Sequence, residues 1–321
     1  MTFPKFPVVR RLSRFALIGA LAAFSPLSFS ALESLNDDEL GEMTGQAFVS
    51  METYESAPSS DQNLQFTRVN LGLKAEALLN IDKLELGKYE RTGEVAGSSD
   101  IEIDNFALGA IENGEIVPFE IDSPYLDFAY DGTDLVGFRL GFGGARGILS
   151  GDIKSLTGKI NVKLEDDNAF GLGARVDSNA ELVSNNGSRD SVRSTKIGLA
   201  NGQVVLATVF GIDTTLTVND CSTSLTNTNT CFDLSTYRSL PIAGTFNEDH
   251  TFNPNSQMAE GIFLGFQSET VDWRESPDVD QYVKALSGAF MNIPSGLQVN
   301  LEEAEEGFKR VLTCFNGAET C

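Results

Sequence analysis

Among side chains that could do chemistry, this chain of 321 residues carries 46 Asp and Glu, four Cys and a single histidine, His250. A Ser-His or Cys-His nucleophile would have to use His250, which sits in the Asn- and Pro-bearing stretch 247–255, and no Gly-x-Ser-x-Gly elbow occurs. The expectation is a solvated loop histidine and no enzyme. Carboxylates are so plentiful that glycosidase-type pairs cannot be singled out by spacing. Two clusters concentrate hard oxygen ligands in turn-like sequence: Glu165-Asp166-Asp167-Asn168, and Asp127, Asp131 and Asp134 around Gly132. Calcium is the one cation they suit, but neither has EF-hand spacing, so ordinary polar turns and no cofactor are expected. The glycines of 141–147 lack the Gly-Lys-Ser/Thr of a phosphate loop and read as turn glycines.

The cysteines are Cys221, Cys231, Cys314 and Cys321. No Cys-x-x-Cys occurs, which disfavours zinc, and an even count in an exported chain reads as disulfides. Spacing favours Cys221 with Cys231 and Cys314 with Cys321 among three possible connectivities. Export itself is read from residues 1–30: Lys5, Arg10, Arg11 and Arg14, then an apolar core, then Ser28-Phe29-Ser30 before Ala31. That core is too short to span a bilayer, and no other run reaches the roughly 20 apolar residues a spanning helix needs. An integral helical membrane protein is therefore not expected.

Removing the four leader cations takes 23 Lys and Arg to 19, against 46 acidic residues, a net charge of −27. So acidic a surface repels phosphate backbones, and nucleic acid is excluded as a partner class.

The elements that would position these groups are mostly strands. In 69–81 the odd positions Val69, Leu71, Leu73, Ala75, Ala77, Leu79 and Ile81 alternate with mainly polar even ones, predicting one long half-buried strand. Asn113-Gly114, Asp131-Gly132, Gly143-Gly144 and Asn201-Gly202 predict four hairpins, the last with a long second arm over 203–218. Residues 147–162 read as a further long strand with bends or as solenoid rungs, and 165–195 as an exposed excursion. At the end the period changes. Val279, Tyr282, Val283, Leu286 and Phe290 share one helical face after Pro277, and a second helix is expected from Asn300.

Behind the leader, Leu35, Asp37, Leu40, Met43, Thr44, Gly45 and Gln46 form a Leu-x-Asp-x-x-Leu-x-x-Met-Thr-Gly-Gln block. It resembles the mature N-terminus of exported gammaproteobacterial proteins of unknown function that include the FilA-type proteins of pilus systems. The resemblance covers about fifteen residues and implies an exported, surface-related protein with pilus association.

The combined expectation is a mainly β chain: a long-stranded antiparallel sheet, as sandwich or partly closed barrel before solenoid, with a small helical C-terminal element. Its divisions are 1–30 leader, 31–63 short helix, first strand and linker, 64–270 β domain and 271–321 helical element. The expected role is a non-enzymatic structural or interaction protein of the Gram-negative envelope or a surface appendage, in the periplasm, at the outer membrane or on the cell surface. Its partners would be other envelope proteins. The alternative is a carrier of a hydrophobic ligand such as lipid, to which Phe119, Phe128, Phe138 and Phe142 would contribute either a groove or plain core.

Overall fold

The computed structural model describes residues 49–57, 60–169, 174–209, 212–223, 229–276, 279–299 and 306–314. The leader and the 35–46 block lie outside them.

The chain is mainly β, built on one large mixed sheet that does not close. Its first layer runs, neighbour to neighbour, through Val49–Glu55, Gln65–Leu71, Phe119–Asp131, the first half of Asp134–Leu156, Phe263–Gln267 and Gly288–Val299. From there it continues through Gly158–Ala169, Ala174–Val183, Val204–Val209 and Ile212–Asn219. All these pairs are antiparallel except Gly158–Ala169 with Gly288–Val299, which is parallel.

A second layer consists of Leu79–Lys88, Ser99–Leu108, the second half of Asp134–Leu156 and Ser239–Ile242. The 23-residue strand Asp134–Leu156 thus belongs to both layers. It turns the corner at Gly147, whose φ is +138° and where a Cβ would stand 2.9 Å from the Phe119 Cα, leaving no place for a side chain. The main core lies between the layers, where Ile101, Ile103, Ile153 and Leu156 meet Ile160, Val162 and Leu164.

Several expectations need correction. The apolar C-terminal stretch is not helical: Val271–Ser276 and Val279–Ala285 form a hairpin, and Gly288–Val299 is a strand at the heart of the sheet. Helical spacing and strand alternation coexist there, and the β-branched and aromatic residues decide it. Trp273 pairs with Val283 and Val271 with Ala285, so every second residue is buried. Of the second expected helix, residues 300–305 lie outside the described residues and Glu306 is helical; residues 307–313 are not helical and run along the sheet, with Ile111 N–H bonded to the Leu312 carbonyl and Arg238 N–H to that of Phe308.

Gly143-Gly144 is not a turn but lies inside the long strand, and Gly141 lets the Tyr125 ring lie against the backbone. The second arm after Asn201-Gly202 is itself a hairpin, Val204–Val209 with Ile212–Asn219. Much of the expected excursion 165–195 is strand, through the Gly158–Ala169 and Ala174–Val183 pair. The hairpins at Asn113-Gly114 and Gly132 do form, with Glu112 opposite Glu115 and Asp131 opposite Asp134.

The 69–81 strand is broken into Gln65–Leu71, Lys74–Ala77 and Leu79–Lys88. Its polarity is also reversed where the first piece packs. Phe66 and Arg68, at even positions, are buried, whereas Val69 and Leu71 are half-exposed and Leu73, Leu79 and Ile81 exposed. The cause is a layer no alternation pattern announces: the Trp273 hairpin covers the even side.

Candidate interaction surface

Two faces of the first layer carry unusual chemistry. On the side covered by the Trp273 hairpin, Arg68 and Arg139 converge on Asp127, and all three side chains are fully buried. Arg68 Nε donates to Asp127 Oδ1 at 2.7 Å and Nη2 to Oδ2 at 2.8 Å, while Arg139 Nε donates to Oδ2 at 2.8 Å. Tyr54 Oη donates to the same Oδ2 at 2.9 Å. The guanidinium groups stack on Tyr125 at 4.3 and 5.3 Å, and Arg139 lies 5.0 Å from the Trp273 ring. Arg139 Nη2 also donates to the Arg274 carbonyl, which ties the hairpin to the sheet.

Burial opposes charge on Asp127, but hydrogen bonds from Arg68 and the charges of Arg139 and Arg68 outweigh it and hold the carboxyl below its usual range. Burial raises the Tyr54 hydroxyl, helped by the neighbouring Asp127 charge. A carboxylate saturated by two cations and a phenol is a lock between layers, not a reactive group.

The other side of the same strands is apolar and partly uncovered. Strand registry places Met51, Val69, Leu126, Leu140, Leu264 and Met291 in one row across six strands. Phe128, Phe138, Phe266 and Ala289 form the next row, with Phe138 and Phe266 stacked at 5.0 Å. Leu264, Phe266 and Met291 also touch the main core, so this face is the core side of the sheet running out beyond the layer that covers it. Its exposed members are large: Met51 is 70% exposed, Leu135 53%, Phe138 41% and Leu140 38%. A contiguous patch of this kind marks a contact surface, unlike scattered apolar residues. Among the described residues the strand Val49–Glu55 pairs only with Gln65–Leu71, so the described face ends at a strand that bears Glu52 and Glu55.

Where the covering layer stops, a shallow groove of about 380 Å³ opens along this face, bounded by Gly87 and Tyr89 at one end and by Phe138 and Leu135 at the other. Inside the main core, by contrast, the void lined by Ile160, Phe232 and Phe308 offers only about 20 Å³, room for a single water-sized body.

Behind the groove lies a second buried lock. Arg193, at a φ of +45°, donates from Nε to Asp100 Oδ1 at 3.0 Å and from Nη1 to Ser98 Oγ at 2.9 Å. Its Nη2 reaches the Gly87 and Tyr89 carbonyls at 3.2 and 2.9 Å. Asp100 Oδ2 accepts the Ala289 N–H at 3.0 Å. Gly288, at a φ of +105°, is required here because a Cβ would stand 2.1 Å from that carboxylate. Sequence reading missed both locks. Arg68 lies 59 positions from Asp127 and Arg193 lies 93 from Asp100, and no local pattern joins them; Arg139, 12 positions from Asp127 across the Gly132 hairpin, is the one partner that strand registry could have suggested.

The residues singled out from sequence are distributed as follows. Cys221 and Cys231 form a disulfide with Cα atoms 5.1 Å apart. Cys314 is disulfide-bonded, and Cys321 lies outside the described residues. Replacing Cys221 and Cys231 by Ala is expected to cost about 2 to 3 kcal/mol in urea unfolding, through the reopened loop. His250 is exposed in a tight turn at a φ of +61°, beside an Asp249 whose carboxylate is taken by Thr251.

The acidic cluster around Gly132 is not assembled: Asp127 is buried in the guanidinium lock, while Asp131 and Asp134 face water at the turn. Glu165 to Asn168 fall on the strand Gly158–Ala169. Among the described residues no group of acidic, Cys or His side chains could hold a metal ion, and no helix is long and apolar enough to cross a membrane.

No protein-family model, curated protein or solved structure matches the chain.

Proposed function

We propose that the chain is an exported, non-enzymatic interaction protein of the cell envelope or a surface appendage, and that the uncovered apolar sheet face is its contact surface. The observation that carries this reading is the row from Met51 to Met291, apolar in every strand yet open to water at Met51 and Leu140. The disulfide Cys221–Cys231 accords with an oxidising compartment. The leader and the resemblance of 35–46 to FilA-type proteins favour the envelope and a pilus-type assembly. Fractionation of the source cells tests it: the chain is expected in the periplasmic, outer-membrane or surface fraction, shortened by its leader. Recovery of the intact chain from the cytoplasm would refute the proposal.

A second reading, a carrier of a hydrophobic ligand, is favoured by one observation, the groove bounded by Tyr89 and Phe138. The closed core does not help it, since about 20 Å³ cannot admit an acyl chain.

If the face is a contact surface, Leu140→Gln should disturb folding little, because the side chain is already 38% exposed. We expect a stability change within about 0.5 kcal/mol, as for ordinary surface positions, read by urea unfolding, together with loss of envelope association. Loss of fold would show instead that the face is core.

A further inference from the structure

We infer that the groove takes a single-chain amphiphile with an anionic head, such as a fatty acid, with its carboxylate at Arg91 and its tail along Phe266 and Phe138; this rests on the carrier reading. The groove begins at the end of the covering layer, where Gly87 and Tyr89 stand over Gly288 and Ala289. Strand registry then fixes its course, because Ala289 lies opposite Phe266 and Phe266 opposite Phe138, with Leu135 beyond. Its volume, about 380 Å³, falls at the lower end of small-molecule sites, roughly 300 to 1,000 Å³. A slender tail fits such an elongated apolar track better than a compact polar ligand.

The Tyr89 end is cationic. Arg91 Nη1 donates to Tyr89 Oη at 3.1 Å and to Asp100 Oδ1 at 3.2 Å, and the Arg91 side chain keeps 19% exposure. The Tyr89 ring lies between two guanidinium groups, Arg193 at 5.0 Å and Arg91 at 5.9 Å. Asp100 is the single carboxylate bonded to both, and it also accepts the Ala289 N–H. At this end two guanidinium groups share one bonded carboxylate, although the chain as a whole is strongly acidic. Arg193 is consumed by the lock, so Arg91 is the cation able to turn toward a ligand carboxylate. A groove lined mainly by apolar residues, with Gln267 and Ser268 as its polar members and a guanidinium pair at its Tyr89 end, is complementary to a fatty acid, and to neither a neutral hydrocarbon nor a cationic lipid.

The test is fluorescence titration of the purified exported chain with cis-parinaric acid and with its methyl ester, which has the same tail and no charge. The acid should bind saturably and about tenfold more tightly than the ester, the ratio of one charge-assisted contact at a partly exposed site. Arg91→Gln should remove that preference, Arg91→Lys should keep most of it, and Phe138→Ser should weaken acid and ester alike, with thermal unfolding confirming that each variant folds. Equal binding of acid and ester would overturn the anionic-head inference while leaving the carrier reading intact. Absence of saturable binding of either would overturn both.

Discussion

Replacing Asp127 by Ala is expected to destabilise the protein by about 3 to 5 kcal/mol, the largest effect of any single substitution considered. Arg68 and Arg139 are fully buried, and Asp127 is the one carboxylate that both of them contact. Without it, two guanidinium groups share a low-dielectric layer, and the half-exposed rim carboxylate Glu52, 3.6 Å from Arg68, is a solvent-screened substitute. Asp127→Asn should do nearly as much damage, because the charge is lost even though the shape is kept.

The same physics predicts an asymmetry. Substituting Arg68, Asp127 and Arg139 together with Met, Leu and Met should cost far less than the single change, since no buried charge is then left alone. Urea unfolding of the wild type, the two single variants and the triple variant checks both statements.

Asp127 also sets an acid limb. Its folded pKa lies below the unfolded value of about 3.9, so the stabilisation it contributes is complete above that value. It is lost as pH falls from about 4 through the lower folded pKa. Asp127→Asn should flatten this limb in unfolding measured between about pH 2 and 5.

The second large expected effect is at Arg193. Its guanidinium satisfies Asp100, Ser98 and the Gly87 and Tyr89 carbonyls at once, and so joins the end of the covering layer to the strand that carries Ala289. Arg193→Ala takes from a buried carboxylate its buried guanidinium partner, leaving it the partly exposed Arg91, the Ala289 N–H and the Tyr89 hydroxyl, and should cost about 3 kcal/mol or more. Arg193→Lys should not rescue it, because an ammonium is a compact point with three donors and cannot reach the four acceptors that the guanidinium serves. The left-handed backbone at Arg193 persists against its own steric cost because these bonds over-determine it. Thermal unfolding of the two variants, with Arg91→Gln as the partly exposed comparison, separates the lock from its neighbour.

Much of the fold could be read from alternation and turn residues, and the failures have physical causes. Asn113-Gly114 and Gly132 gave the hairpins because positive φ is a local demand that few residues meet. Gly143-Gly144 misled because glycine serves equally where strands cross closely, as Gly141 does beneath Tyr125. The 279–290 stretch is ambiguous because Val279 and Val283, four residues apart, satisfy a helical period and a strand period at once, and only the pairing of Val283 with Trp273 decides between them.

The candidate surface was half legible. Alternation assigns the odd positions of 69–81 to the core side of one strand, whereas the segment is broken and Val69 lies half-exposed on the partly uncovered face. Which side a sheet buries depends on the other layer, and the hairpin that covers Phe66 and Arg68 is about 200 residues away in sequence, as the Ser60 to Asp272 hydrogen bond across 212 positions illustrates.

The central claim, that the uncovered face is the contact surface in the cell, is tested most directly by placing a photo-crosslinking residue at Leu140 in intact source cells. Val95, 78% exposed in the loop between the strands Leu79–Lys88 and Ser99–Leu108, is the control position. We predict adducts in the envelope fraction from Leu140 and none from Val95; equal adducts at both positions, or none at Leu140, would contradict the account.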